Sequence, residues 1–275
     1  MERTPLTLSP EKVLEELTAL LGEGDPARAV MAFDGDGTLW SGDVGEDLFH
    51  AALAESFLLE TVRPALLAEA ARYQLELGAE PGSANDVARA LFASYLAGRY
   101  PERETCAMMT WCYAGHLASE VTALAERVVA LEDVQGRRSS ELAPIIAWAR
   151  RLGVRCVLIS ASPGAIVEPA GELWGFGPED IAAATPALDA GRVLPQLAAP
   201  VPYAEAKLSA GRGLFGDAHW LATFGDNVFD IEMLLEAEMG VAVRPKPKLR
   251  QQLAALGLRS LAAPETASVP RPAAR

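Results

Sequence analysis

The chain has 275 residues, 50% hydrophobic and 22% charged, a globular composition with enough length for one large core or two unequal domains. A formal net charge of -13 and a pI near 4.8 set its surface against phosphate backbones, so nucleic acid is not an expected partner. The three cysteines, Cys106, Cys112 and Cys156, are odd in number and lack metal-ligand spacing, which argues against a disulfide framework and for a reducing, cytoplasmic setting.

Residues 1–5 show no cationic flank leading into an apolar block, so no secretory signal is expected. Residues 10–22 predict a short amphipathic helix with Val13, Leu14, Leu17 and Leu20 on one side. Residues 29–33 are a compact apolar run ending in Asp34, the pattern of a buried parallel strand that delivers Asp34 at its C-terminal end. From 46 to 135 there is no strand pattern. Helical patterns follow one another, broken at 78–83, 98–101 and 115–119. Ser83 with Asp86 matches a capping box, and Pro101 suits a first helical position. This block reads as an inserted all-helical domain of four or five helices.

The α/β pattern resumes after Gly136. Ser140 is the expected cap of a helix running to about Leu152. Residues 154–159 predict a second apolar strand ending in Ser160, followed by a helix over 163–174. Residues 181–188, the turn Asp189-Ala190-Gly191 and residues 193–194 predict a small hairpin. A helix over 204–214 precedes a third strand over 220–224, which ends in Gly225-Asp226. A helix over 228–238 and a fourth strand over 240–243 complete the pattern. The Ala- and Pro-rich residues 262–275 read as a disordered tail. No apolar run approaches the roughly 18 residues of a membrane helix, so no membrane partner is expected. The fold class is therefore α/β: a Rossmann-like parallel-sheet core over 1–45 and 136–261, with the helical domain over 46–135 inserted. A monomer or homodimer is expected. The richness in Ala, Arg and Gly suggests a GC-rich bacterial genome.

Three strands each end in a polar group: Asp34, Ser160 and Asp226. Strands of one parallel sheet bring their C-terminal ends together, and open α/β sheets bind ligands at that edge. Any one of these residues alone could be a helix cap or turn residue. Asp34-Gly35-Asp36-Gly37-Thr38-Leu39 together with Gly225-Asp226 and Asp230, and with Ser160 and Lys207 between them, is a poor match to chance.

These motifs resemble those of the haloacid dehalogenase superfamily, in its phosphoserine-phosphatase-like branch. Asp34 and Asp36 match the first motif, Val157-Leu158-Ile159-Ser160-Ala161-Ser162 the second, Lys207 the third, and Gly225-Asp226-Asn227-Val228-Phe229-Asp230 with Met233-Leu234 the fourth. The match runs from residue 29 to about 245 in the family's order, and the helical insert falls where this branch carries its cap. The resemblance implies a Mg²⁺-dependent phosphatase acting on a small phosphorylated metabolite. Asp34 would be the nucleophile and Asp36 the general acid and base. Ser160, Ala161 and Lys207 would bind the phosphoryl group. Asp34, Asp226 and the carbonyl of Asp36 would hold the metal, with Asp230 completing the acidic shell. Thr38, Ser162 and Asn227 would support these groups. Phe229 stands where some phosphoserine phosphatases carry Asn, and Asn227 is the candidate to supply its hydrogen bonds.

Related dehalogenases lack the second acid and related ion pumps carry Thr there, so Asp36 favours rapid hydrolysis or transfer. A phosphotransferase using the same intermediate is one alternative. A catalytically silent binding protein is another, but it predicts erosion of acids that are all present. In phosphoserine phosphatases an acid nine residues after the nucleophile meets the substrate amine. Asp43 takes that offset and Glu46 lies near it; the same pattern also describes loop acids beside a helix start. Tyr73, Tyr95, Tyr100, Trp111 and Tyr113, with Trp40, could form a cage for a quaternary ammonium as in phosphocholine, or pack a helical core. Arg63, Arg72, Arg89, Arg99 and Arg103 could instead meet a substrate carboxylate. His50, His116 and His219 show no paired spacing and read as structural.

Overall fold

The computed structural model describes residues 6–77 and 82–263. The helix break expected at 78–83 lies partly outside these residues, and the tail expected over 262–275 lies almost wholly outside them.

In chain order the elements are β1 (Thr7–Leu8), α1 (Pro10–Leu21), β2 (Ala29–Phe33), α2 (Val44–Ala54), α3 (Arg63–Arg72), α4 (Ala84–Leu96), α5 (Glu102–Trp111) and α6 (Ala118–Leu131). They continue with α7 (Ala143–Leu152), β3 (Arg155–Pro163), α8 (Gly164–Glu172), β4 (Ile181–Ala184), β5 (Pro186–Asp189), β6 (Arg192–Leu197) and α9 (Ala206–Phe215). The last are β7 (His219–Gly225), α10 (Ile231–Glu236), β8 (Met239–Val243), α11 (Pro247–Arg250), α12 (Leu253–Leu256) and β9 (Arg259–Leu261).

All five residues of β2 are buried, because both faces of the strand are covered. Met31 and Phe33 face one apolar cluster, while Val30 and Ala32 face another with Trp220 and Met233. Seven strands pair in the order β1-β9-β8-β7-β2-β3-β4, every pair parallel. β2 lies between β3 and β7, so the strand order reverses around it. The crevice beyond its C-terminal end is therefore the expected ligand position. Phe33 and Phe224 pair in register and stack with centroids 4.8 Å apart, a contact worth about 0.5–1.5 kcal/mol beyond burial.

Between β2 and α7 run five α-helices, α2 to α6, and no strand among the described residues, as the pattern predicts. Ser83 and Asp86 make the expected capping box. The helices share one apolar cluster with the inner face of the sheet. They are also fastened to the β5–β6 hairpin: Gly115 N–H donates to the Val193 carbonyl, Val193 N–H to that of His116, and Ala118 N–H to that of Gly191.

Several boundaries differ from the sequence pattern. Pro101 is the N-cap of α5 rather than its first residue, with ψ 143° and its carbonyl accepting from Thr105 N–H. Ser140 does not cap α7. Had it done so, Pro144 would fall where the first intrahelical N–H is needed; the helix instead starts at Ala143 with Pro144 in its first turn. The run over 181–188 divides at Thr185, its first half joining the main sheet as β4 and its second pairing with β6. The helix expected over 228–238 opens with a 3-10 turn, Val228–Asp230. β1 and β9, of two and three residues, are too short to leave a periodic pattern. No helix among the described residues is long and apolar enough to cross a membrane.

Candidate active site

Asp34, Ser160 and Asp226 do meet at the C-terminal edge of the sheet. They line one cavity with Asp36, Ala161, Ser162, Lys207 and Asp230. Asp34 follows β2, and its N–H donates to the Phe224 carbonyl of β7, which fixes the backbone at the strand end. The chain then turns sharply: Gly37 has φ 81°, and a Cβ there would lie 2.0 Å from Asp226 Oδ2. Only glycine allows both the left-handed backbone and that approach. Arg244, just after β8, donates to the carbonyls of Gly37 and Thr38 and so holds the same turn from outside.

Lys207 is buried, with Nζ 2.6 Å from Asp34 Oδ1 and 2.5 Å from Asp230 Oδ1. Asp34 Oδ2 accepts from the Thr38 hydroxyl at 3.1 Å. Asp230 Oδ2 accepts from the amides of Asp226 and Asn227, which locks the loop after β7. Lys246 Nζ stands 3.3 Å from Asp226 Oδ2. Burial opposes the charge of Lys207, but Asp230 and Asp34 together raise its pKa. Burial, then Asp230, lifts the Asp34 carboxyl well above the carboxylate range against the pull of Lys207. Asp226 is pushed up to about 6, chiefly by burial, with Lys246 opposing.

Oxygens of Asp34, Asp226 and Asp230 lie within 4.8 Å of one another, all three residues buried. Three buried carboxylates therefore share one buried ammonium, and the surplus negative charge together with hard oxygen donors fits a small divalent cation. Asp230 also ties Lys207, through Oδ1, to the loop after β7, through Oδ2.

Asp36 is held differently. Its Oδ1 accepts from the Trp40 indole N–H at 2.7 Å and the Val44 amide at 2.8 Å, while Oδ2 accepts from the Ser162 hydroxyl at 2.6 Å. Ser160 Oγ accepts from the Ser162 amide at 3.1 Å.

A family model for haloacid dehalogenase-like hydrolases matches residues 31–235. The chain belongs to this family. Its fold resembles that of a protein of unknown function from Bordetella pertussis Tohama I, with TM-score 0.63 and 20% identity over 86% of this chain and 98% of that one. It also resembles a haloacid dehalogenase family hydrolase from Salmonella enterica serovar Typhi, with TM-score 0.55 and 15% identity over 92% and 76% of the two chains. A third likeness is to a probable phosphoserine phosphatase from Vibrio cholerae, with TM-score 0.51 and 13% identity over 83% and 60%. No curated protein matches the chain in sequence.

Within this hydrolase, other expected residues sort themselves by position. Asp43 lines the cavity and also caps α2, accepting from the Glu46 amide at 2.8 Å. Burial, then Asp36, raises its carboxyl well above the ordinary range. Glu46 is half-buried beside it but is not in the cavity wall. Asn227 lines the cavity and turns its Oδ1 to the Val228 amide as a helix cap. Phe229 packs on Tyr203 with centroids 4.3 Å apart.

Of the two readings of the aromatic residues, a cage or core packing, the structure shows packing. None of Trp40, Tyr73, Tyr95, Tyr100, Trp111 and Tyr113 lines the cavity. Tyr73 packs edge-on to Tyr100, Tyr95 packs on Phe92, and Trp111 and Tyr113 are buried in the core. No arginine lines the cavity either; Arg72, Arg89 and Arg103 pair with Glu69, Asp86 and Glu104. His116 stacks on Phe57 and His219 pairs with Glu238, both away from the site. Sequence reasoning missed Glu102, Cys106, Tyr203 and Lys246, which complete the wall. Lys246 had a signal: it follows the end of β8, as Asp34 and Asp226 follow theirs, whereas Ser160, expected to end β3, lies three residues inside it.

Proposed function

We propose that the protein is a Mg²⁺-dependent phosphatase of small phosphomonoesters that works through an aspartyl-phosphate on Asp34. The observation that carries this reading is the unlike setting of two carboxylates two residues apart in one cavity. Asp34 is buried against Lys207, and Asp36 presents Oδ2 to a rotatable hydroxyl, that of Ser162.

In the first step an Asp34 oxygen attacks phosphorus, the P–O bond to the alcohol breaks, and the leaving oxygen takes a proton from Asp36 Oδ2. In the second step water attacks the phosphoaspartate. Asp36 takes a proton from that water, and inorganic phosphate leaves Asp34 as a carboxylate. Lys207 neutralises the phosphoryl oxygens and orients Asp34. The Ser160 hydroxyl and the Ala161 amide supply donors for the same oxygens. Asp34, Asp226 and the carbonyl of Asp36 would hold Mg²⁺, whose chemistry is to offset the repulsion between an anionic nucleophile and a phosphate dianion. Trp40 and the Val44 amide keep Asp36 in place by holding Oδ1.

In this reading residues 46–135 act as a cap over a core domain made of 1–45 and 136–261. The site cavity, of about 70 Å³, favours small metabolites. The fold shared with a probable phosphoserine phosphatase supports the phosphatase class. Three free cysteines support a reducing, cytoplasmic setting.

The test is a panel of phosphomonoesters with Mg²⁺, together with mass-spectrometric trapping of a phosphorylated Asp34 peptide. Asp34→Asn should abolish both turnover and the trapped species. Near-normal turnover by Asp34→Asn would sink the mechanism.

A further inference from the structure

Glu102 and Tyr203 line two cavities at once. One is the site chamber of about 70 Å³; the other is a broader groove of about 670 Å³ beside it. The pair therefore stands where the chamber meets the groove. Glu102 is in the first turn of α5, and Tyr203 lies just ahead of α9, which carries Lys207.

The chamber's charges are unevenly placed. Its carboxylates are Asp34, Asp36, Asp43, Glu102, Asp226 and Asp230, against only two ammonium groups. Both ammonium groups are on the phosphoryl side: Lys207 with Asp34 and Asp230, Lys246 with Asp226. Asp43 and Glu102 form no ion pair among the described residues, and no arginine lines the chamber. In the same chamber wall Phe229 and Tyr203 present packed aromatic rings, Tyr203 lining the groove as well. An alcohol leaving toward the groove meets carboxylates and ring faces, while the nearby cations are already engaged, Lys246 by Asp226 and Arg103 of the groove wall by Glu104.

We propose that Glu102, acting with Asp43, forms a cation-selective subsite for the leaving alcohol, so that the substrate is a phosphomonoester of a small amino alcohol lacking a carboxylate. This rests on the phosphatase reading above and narrows it. An ammonium is drawn to the two acids and to the ring faces. A carboxylate on the same alcohol would be buried against like charge with no partner, which disfavours phosphoserine.

The test compares kcat/KM for 2-aminoethyl phosphate, its neutral isostere propyl phosphate, and phosphoserine. The native protein should favour 2-aminoethyl phosphate over each of the others by about tenfold or more, the size of one charge-assisted contact. Glu102→Gln should cut the preference over propyl phosphate about tenfold. Glu102→Lys should reverse the order of 2-aminoethyl phosphate and phosphoserine, which misfolding would not do. Equal kcat/KM for the amine and its isostere, or ratios unmoved by both variants, would overturn the subsite. The phosphatase reading is checked apart, by Mg²⁺-dependent turnover of p-nitrophenyl phosphate and its loss in Asp34→Asn. Calorimetric affinities of 2-aminoethylphosphonate and propylphosphonate report the subsite without turnover. Discrimination there without hydrolysis would uphold the subsite and remove the phosphatase reading; hydrolysis without discrimination would do the reverse.

Discussion

The Trp40 indole donates to Asp36 Oδ1 at 2.7 Å, from a position with no exposed surface. The bond fixes one oxygen of the proposed acid and leaves the other toward Ser162. Trp40→Phe keeps most of the buried volume and removes the donor. Turnover should fall about 10–100-fold, as for other groups that orient a reacting side chain. Asp36→Asn should fall further, by about 10²–10⁴. Rapid-quench measurement of the phosphoenzyme should show both effects in its breakdown. A Trp40→Phe protein with native kinetics would remove the indole from this role.

Lys207 is the only ammonium between Asp34 and Asp230 among the described residues. Lys207→Met leaves two buried carboxylates facing each other. Removing one partner from such a cluster destabilises by about 3–5 kcal/mol. Urea unfolding without Mg²⁺ should show that loss, and adding Asp230→Asn should restore part of it. Activity should not return in the double variant, because the phosphoryl oxygens still lack their cation.

Chelation should abolish turnover and Mg²⁺ should restore it. Because the proposed ligands are close together only in the folded chain, saturating Mg²⁺ should raise stability by about 2.7 kcal/mol at one hundred times its Kd. Asp226→Asn should lose that increment. A melting temperature indifferent to Mg²⁺ would count against the assignment.

Gly37→Ala places a methyl group against Asp226 Oδ2 at a backbone angle L-residues avoid. The left-handed conformation alone costs about 1–2 kcal/mol. The variant should fold less stably and should require more Mg²⁺ for half-maximal activity, since Asp226 must yield. Gly98 also has positive φ but open space around it, so Gly98→Ala should show the backbone penalty and no change in Mg²⁺ requirement.

The Asp86 carboxyl is held below its ordinary value of 3.8, first by the Ser83 hydroxyl and then by the Ser83 amide. A depressed folded pKa lends stability above the unfolded pKa, and that stability is lost as pH falls through the folded value. Ser83→Ala should therefore lower the urea midpoint by a constant amount from pH 7 to pH 4. The gap should narrow below about 3.8.

The strands that carry the site were legible because full burial leaves an unbroken apolar run, and a charged residue ends it abruptly, as at Phe33 and Asp34. Residues 29–33 matched to the residue. The floor of the site was therefore readable. Its outer wall was not. Glu102 looks like any acid in a helix's first turn, and Tyr203 lies in a loop without periodicity. What makes them neighbours is how α5 and α9 each pack on β3, and that depends on contacts far apart in sequence. The bond from Trp40 to Asp36 was hidden for a related reason: an aromatic count records rings, but not the direction of an N–H.

The β5–β6 hairpin and the loop before α6 exchange backbone hydrogen bonds at Gly115, Ala118 and Val193. Far apart along the chain, they are fastened as one unit. A chimaera that took only residues 44–131 into another relative's core would strand the Gly115 and Ala118 amides without acceptors and the His116 carbonyl without its donor. One that also took residues 186–197 would keep them. Modularity here follows the hydrogen bonds rather than the order of the sequence, so a library of exchanged inserts should be cut at two places in the gene.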